Sequence, residues 1–232
     1  SQGAEKFINK LEGMFSFSFY DKKNNSMILA RDSFGIKPLY YHLNNHRIIF
    51  ASELKALLLD CNIKREVNYK ALKEVFLLGY NLDPSTCFKN IFRLSPGHLM
   101  KINKDGIKIE KYWSIFDLID DSKNNSEWID TFDESIRLHC ISDVSIGAFL
   151  SGGIDSNLII SSMKRQNIIG NNFNAYNAGS DDKSDQHTYT ERQLAIKSAA
   201  FHEVNLIKID ANDNNDFSFK DRLSVQSNKL KN

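Results

Sequence analysis

The stretch from Val144 to Ser156 narrows the choice of fold more than any other part of the chain. A short apolar run, Val144 to Leu150, ends in Ser151-Gly152-Gly153-Ile154-Asp155-Ser156, and a helical pattern runs from Asn157 to Gln166. A buried strand that turns through glycines into a helix is the opening of a parallel βαβ unit. The downstream residues keep the alternation: a weaker strand at Phe173 to Ala178, a helix at Glu191 to Ala200 and a strand at Val204 to Ile209. Upstream, Trp128, Phe132 and Ile136 fall on one face of a further helix. Ala195 and Ala199 share a helical face that suits close packing. This half therefore predicts a doubly wound α/β sheet.

The loop itself points to an anion. A helix start leaves backbone N–H groups unpaired and carries partial positive charge, which suits a phosphate. Gly152 and Gly153 permit backbone angles closed to other residues, and Ser151 and Ser156 can add hydroxyl donors. Asp155 would repel a bare phosphate, so its presence predicts a Mg²⁺ ion between them. Gly147 and Gly152 have the spacing of a kinase-type P-loop, but Gly153 and Ile154 stand where that loop needs Lys and Ser/Thr. The bland alternative is a tight strand-to-helix turn capped by Ser or Asp.

From Gly13 to Trp113 the pattern is mainly short strands. Met14 to Tyr20 alternates, with Phe15, Phe17 and Phe19 on one face and Ser16 and Ser18 on the other. A polar turn, Asp21 to Ser26, leads into a strand at Met27 to Ala30. Leu39 to His42 and Arg47 to Ala51 form another pair, helices come next at Glu53 to Leu59 and Tyr69 to Leu78, and strands flank Ser95-Pro96-Gly97 and Lys104-Asp105-Gly106. Gly35 and Pro38 define a turn across which Arg31 and Asp32 are placed to pair. Asp117 to Ser126 is the best linker, and the tail from Ala211 to Asn232 is polar without a period.

Net charge of +1 and the absence of a basic run argue against nucleic acid. No apolar stretch suggests a membrane helix, and the polar start Ser1 to Lys10 argues against a signal peptide. The three cysteines, Cys61, Cys87 and Cys140, form no metal-ligand pattern and read as reduced thiols of a cytoplasmic protein.

The string SGGIDS resembles the pyrophosphate loop of enzymes that adenylate a carbonyl oxygen, and its flank, Ser142 to Leu150, resembles the asparagine synthetase version, with Ser145 in place of a proline. Four earlier blocks resemble the glutaminase domain of the same family: LEGMFSF from Leu11, ARDSFGIKPLYY from Ala30, FASELKAL from Phe50 and LSPG from Leu94. The resemblance runs from about Gly3 to Ile209. It implies α+β and α/β architecture: a partial Ntn-type glutaminase β-sandwich over 1–116, a linker over 117–126, and part of a doubly wound adenine-nucleotide α-hydrolase-like (PP-loop) domain over 127–232. It implies ATP-dependent adenylation of the aspartate side chain and amidation by ammonia from glutamine. ATP would be contacted by Leu150, Ser151, Gly152, Gly153, Ile154, Asp155, Ser156 and Ala175, with Mg²⁺ facing Asp155. Glu191 stands in what looks like the family's acidic helix, either facing the nucleotide or as a helix-start acid. His202 reads as the start of a strand. Oligomeric state stays open, a homodimer included.

The family's catalytic cysteine would lie before Gly3, and its second SG-rich loop is not seen after Ile209, so the chain is expected to be incomplete and inactive alone. Ser1 is not expected to replace that nucleophile. Two alternatives stand beside the synthetase: a paralogous amidotransferase acting on another carboxylate, and an inactive remnant or interaction module.

Overall fold

Period-two alternation in the first half becomes two antiparallel sheets. The computed structural model describes residues 7–44, 47–118 and 128–210, and the chain divides into two compact units, Ser1–Lys123 and Asn124–Asn232. Residues 1–6, most of the expected linker and the tail from Ala211 lie outside the described residues.

In chain order the first unit has β1 (Ser16–Asp21), β2 (Ser26–Arg31), β3 (Tyr40–Asn44), β4 (Arg47–Ala51), α1 (Leu54–Leu57), α2 (Tyr69–Leu78), β5 (Ile91–Arg93), β6 (His98–Asn103) and β7 (Gly106–Lys111). The sheets run β1-β2-β6-β7 and β4-β3-β5. Leu29 on β2 and Met100 on β6 face Tyr41 on β3, with Leu39 and Leu94 closing a core between the sheets. Their neighbours in sequence point the other way. Ala30 and Leu99 join Ile8, Phe15 and Phe17 on the outer face of the first sheet, whereas Tyr40, Ile49 and Ala51 meet Leu54 and Leu57 of α1. One alternating sequence thus feeds three layers of contact. Helix α2 has the predicted bounds because both ends are signalled: Asn68 accepts from the Ala71 amide, and Gly79 ends it at φ 83°.

The turn after β2 departs from the expected Arg31–Asp32 pair. Asp32, 2% exposed, accepts from the amides of Phe34 at 3.2 Å, Ile36 at 3.0 Å and Lys37 at 3.0 Å. Arg31 instead donates to the carbonyls of Lys37 at 2.9 Å, Leu94 at 2.7 Å and Gly35. Each side chain satisfies main chain that the turn strips of partners, a need neither could meet by pairing with the other. Gly35 sits at φ 65°, where a Cβ would lie 2.8 Å from Arg31 Cζ.

The second unit has α3 (Trp128–His139), β8 (Ala148–Phe149), α4 (Ile154–Arg165), β9 (Asn174–Gly179), α5 (Gln186–His202) and β10 (Asn205–Asp210). The strands are parallel in the order β10-β9-β8. Ala148, Ala175 and Leu206 lie in one row across the sheet and pack with Leu150, Ile160, Met163, Ala195 and Ala199 in a single core. The small residues of α5 are buried as their spacing suggested. Asp133 ties α3 to α4, accepting from Ser162 Oγ at 2.6 Å and Arg165 Nε at 2.8 Å. The opposite row holds Phe149, Tyr176 and Ile207, with Phe149 78% exposed. Helices on both faces are therefore not seen among the described residues, because α4 and α5 contribute to the same core.

Several elements differ from their expected extent, β8 and α5 most. Strand β8 keeps two residues of the apolar run, and Val144 is exposed. Helix α5 begins at Gln186 rather than Glu191, because Asp185 caps it by accepting from the Thr188 amide. Between β8 and α4 the chain is pressed against α5. Gly152 sits at φ 81°, and a Cβ there would lie 2.5 Å from Leu194 Cβ and 2.6 Å from the Leu194 carbonyl carbon.

Asp32→Ala should cost the chain about 2–3 kcal/mol in urea unfolding. Asp21→Ala, whose acceptor bonds to Lys23 and Asn24 are exposed, should shift the same urea midpoint far less. Gly152→Ala combines a left-handed backbone with contact to helix main chain, so a loss of about 2 kcal/mol or more is expected. Gly170→Ala, with nothing within 4 Å of the added Cβ, should be neutral or better by comparison.

Candidate functional site

The turn from β8 into α4 gathers most of the residues expected to bind a ligand. Gly153 is the N-cap of α4 in extended conformation with no side-chain cap. The amides of Ile154, Asp155 and Ser156 have no protein acceptor among the described residues, which is the unpaired donor set of a helix start. Gly153 differs, since its amide donates to Ser151 Oγ at 3.2 Å. Asp155 is exposed in the first helical turn.

The serines are less free than their position suggests. Ser156 Oγ donates to the Gly153 carbonyl at 3.1 Å and lies 3.1 Å from Ser151 Oγ. A hydroxyl has one proton, so with that of Ser156 on Gly153, Ser151 donates to Ser156. Both protons are engaged within the loop, and either must turn to serve a ligand.

Leu150 and Ala175 have a different place from the one expected. Each is 0% exposed within the core beneath the loop. Leu150 also has both main-chain groups engaged: its N–H donates to the Tyr176 carbonyl at 2.8 Å, and its carbonyl accepts from Asn177 Nδ2 at 3.0 Å. Close packing of the sheet against α5 takes both side chains inward, so they support the loop from below. Glu191 is half-exposed along α5, 3.9 Å from His187. Since the helix starts earlier, it is not a helix-start acid.

The residues holding the loop were missed as functional residues. Asn177, 3% exposed, accepts on Oδ1 from Arg192 Nε at 3.3 Å. Arg192 is 0% exposed and also donates to the Ile209 carbonyl at 2.6 Å and to Asp210, with Asp181 at 3.4 Å. A buried guanidinium with this many acceptors is matched in charge and hydrogen bonding. On the other side, Asn157 Nδ2 donates to the Gly153 carbonyl at 2.8 Å, and His202 Nε2 lies 2.9 Å from Asn157 Oδ1. His202 is the last residue of α5 rather than the start of a strand. Burial, with Lys164 adding to it, pushes its imidazole below the usual histidine range. The available signal was polar residues inside a strand and a helix, where Asn is disfavoured without a partner.

A divalent cation fits this donor set in one way. Among the described residues no group of three or more His, Cys, Asp or Glu could hold a metal. Asp155 offers a single carboxylate beside unpaired amides. Mg²⁺ takes few protein ligands and completes its shell with phosphate oxygens and water, so Asp155 suits a cation arriving with a phosphate and not one held by protein alone.

Comparison with known proteins agrees over both units. A glutamine amidotransferase domain model matches residues 1–113, and an asparagine synthase model matches residues 127–221. Asparagine synthetase [glutamine-hydrolyzing] 3 of Bacillus subtilis is 36% identical over 161 residues, 67% of this chain and 26% of that protein. Asparagine synthetase [glutamine-hydrolyzing] 2 of the same organism is 37% identical over 166 residues, 65% of this chain and 22% of that protein. Amidase chry2 of Gibberella zeae is 28% identical over 162 residues, 66% of this chain and 23% of that protein. The chain spans about a quarter of the length of these relatives. With the two domain matches following one another as the sandwich and the parallel sheet do, the chain belongs to the glutamine-hydrolysing asparagine synthetase family.

Proposed function

We propose that this chain is part of an ATP-dependent carbon–nitrogen ligase that converts aspartate to asparagine with glutamine as the amide donor. The observation that carries the reading is the β8–α4 turn: three unpaired amides beside an exposed carboxylate, inside the segment matched by the asparagine synthase model. In this reading 1–116 is the C-terminal part of an Ntn-type glutamine amidotransferase domain and 117–126 a linker. The remainder, 127–232, is the N-terminal part of a PP-loop domain, and the protein works in the cytoplasm on small-molecule substrates.

The chemistry explains why such a turn is needed. A carboxylate oxygen is a poor leaving group, and adenylation by ATP lets neutral ammonia displace AMP. The amides of Ile154, Asp155 and Ser156 would face phosphate oxygens, donors fixed before the charge shifts. Asp155 would hold Mg²⁺, which neutralises phosphate charge when bound. Ser151 and Ser156 would release their mutual bond and turn to the phosphates. Gly152 keeps the loop without side-chain bulk, and Leu150 and Ala175 are the floor on which it rests.

A second reading is a paralogous amidotransferase in which the same turn serves another carboxylate; that a relative carries a name other than asparagine synthetase, amidase, is what keeps it beside the first.

Equilibrium dialysis of the chain with Mg-ATP should show binding that Asp155→Ala weakens at least about tenfold, on the scale of one lost charge-assisted contact. Removal of Mg²⁺ by EDTA should have the same effect. In a longer polypeptide containing this chain, labelled pyrophosphate should exchange into ATP only with aspartate present. Exchange with a different acid and none with aspartate would favour the second reading, and no Mg-ATP binding would favour an inactive remnant.

A further inference from the structure

We propose that Asn157 and Asn177 are positioning residues for the ligand of the β8–α4 turn, each aimed by a buried residue of α5. The inference rests on the nucleotide reading above and adds a device that sets the turn's binding state. The two relays have the same form. Asn177 Nδ2 donates to the Leu150 carbonyl and Asn177 Oδ1 accepts from Arg192. Asn157 Nδ2 donates to the Gly153 carbonyl and Asn157 Oδ1 meets His202. The gripped carbonyls bracket Ser151 and Gly152, and Gly152 is itself backed by Leu194 and Ala195 of α5.

Peptide geometry makes the grip consequential. In a trans peptide the C=O and the following N–H point in opposite directions. Drawing the Gly153 carbonyl inward aims the Ile154 N–H outward, and drawing in the Leu150 carbonyl does the same for the Ser151 N–H. An inward carbonyl also removes a partial negative charge from the place an anion would occupy. Gly153 is held firmly, since its carbonyl additionally accepts from Ser156 Oγ at 3.1 Å and the Asn157 amide at 3.2 Å.

The side-chain types fit the task. An amide has a donor end and an acceptor end, so it can hold a carbonyl while being held, whereas Asp lacks the donor and Leu both. With Nδ2 on Gly153, the Oδ1 of Asn157 requires a donor from His202, so the imidazole has its proton on Nε2. Arg192 has no other option than to donate. Helix α5 thus orders the turn through three neighbouring parts: Arg192, the Leu194–Ala195 main chain and His202.

The test uses the whole chain, Mg-ATP in equilibrium dialysis and hydrogen exchange of the bonded amides that flank the turn, Leu150 and Asn157. Asn157→Ala and Asn177→Ala should each weaken Mg-ATP about five- to tenfold, the worth of one hydrogen bond. Each should also speed exchange of the bonded amide beside the released carbonyl, Asn157 in the case of Gly153 (read in the parent against His202→Leu) and Leu150 in the case of Asn177→Ala, while β10 stays protected. His202→Leu should match Asn157→Ala, the double variant should be no worse than either, and His202→Gln, which keeps a donor, should bind nearly as the parent does. Additive losses in the double variant, or variants that bind as tightly as a parent that binds, would overturn the relay. If His202→Leu fails to fold, Asn157→Ala alone and combined with His202→Gln decides the same point. A parent that does not bind Mg-ATP overturns the nucleotide reading instead, and unchanged exchange at Leu150 and Asn157 in the variants would then overturn the relay on its own.

Discussion

Carbonyl direction in the turn between β8 and α4 is the constraint on which the second unit depends. A short loop can present N–H groups on one side only if its carbonyls find acceptor duty on the other, and buried carbonyls must be paired in any case. Here the Leu150 and Gly153 carbonyls are paired by Asn177 and Asn157, so the requirement for satisfied main chain and the requirement for outward donors are met by the same bonds. Packing adds to this. Gly152 touches α5 closely enough to exclude a methyl group, and the core beneath is built from the small or branched residues Ala175, Ala195, Ala199 and Ile160.

The first unit solves an analogous problem with charge. After β2 the chain makes a turn whose amides and carbonyls cannot join a sheet, and Asp32 takes the amides while Arg31 takes the carbonyls. The second unit uses neutral amides backed by Arg192 and His202 where a carboxylate would oppose an anionic ligand. The contrast is what electrostatics demands: an inward Asp is tolerable in a purely structural turn, whereas at a turn proposed to hold a phosphate the exposed Asp155 is a carboxylate that a divalent cation can neutralise.

Much of this was legible in the residues. Alternation at Phe15, Phe17 and Phe19 places a strand, Asn68 and Gly79 bound α2, and Gly152-Gly153 between an apolar run and a helix marks the β8–α4 turn. These signals are local, with periods or caps that depend on neighbours a few residues away. Arg31, Arg192, Asn157 and His202 were opaque for the opposite reason. Their partners lie as far off as Leu94 from Arg31 and His202 from Asn157, and no pattern in sequence encodes a contact of that separation. Leu150 and Ala175 misled because a position beside a ligand-binding turn and a position beneath it have the same apolar character; only the direction of the side chain separates them.

The row opposite the core on the second unit's sheet has a physical meaning of its own. Phe149, Tyr176 and Ile207 occupy adjacent strands at matching register, and parallel sheets bury both faces because their crossovers place apolar side chains on each. The helix-facing row is buried by α4 and α5, so an aromatic such as Phe149 left at 78% exposure is a face unsatisfied by the described residues. Relatives about four times the length of the matched segment have chain enough to cover such a face. The β8–α4 turn opens at the carboxyl end of β8, the end at which parallel sheets bind ligands, and the carbonyls beside its amides are held by Asn157 of α4 and Asn177 of β9, each in contact with α5. Among the described residues, donor geometry in this turn is therefore held from within the unit.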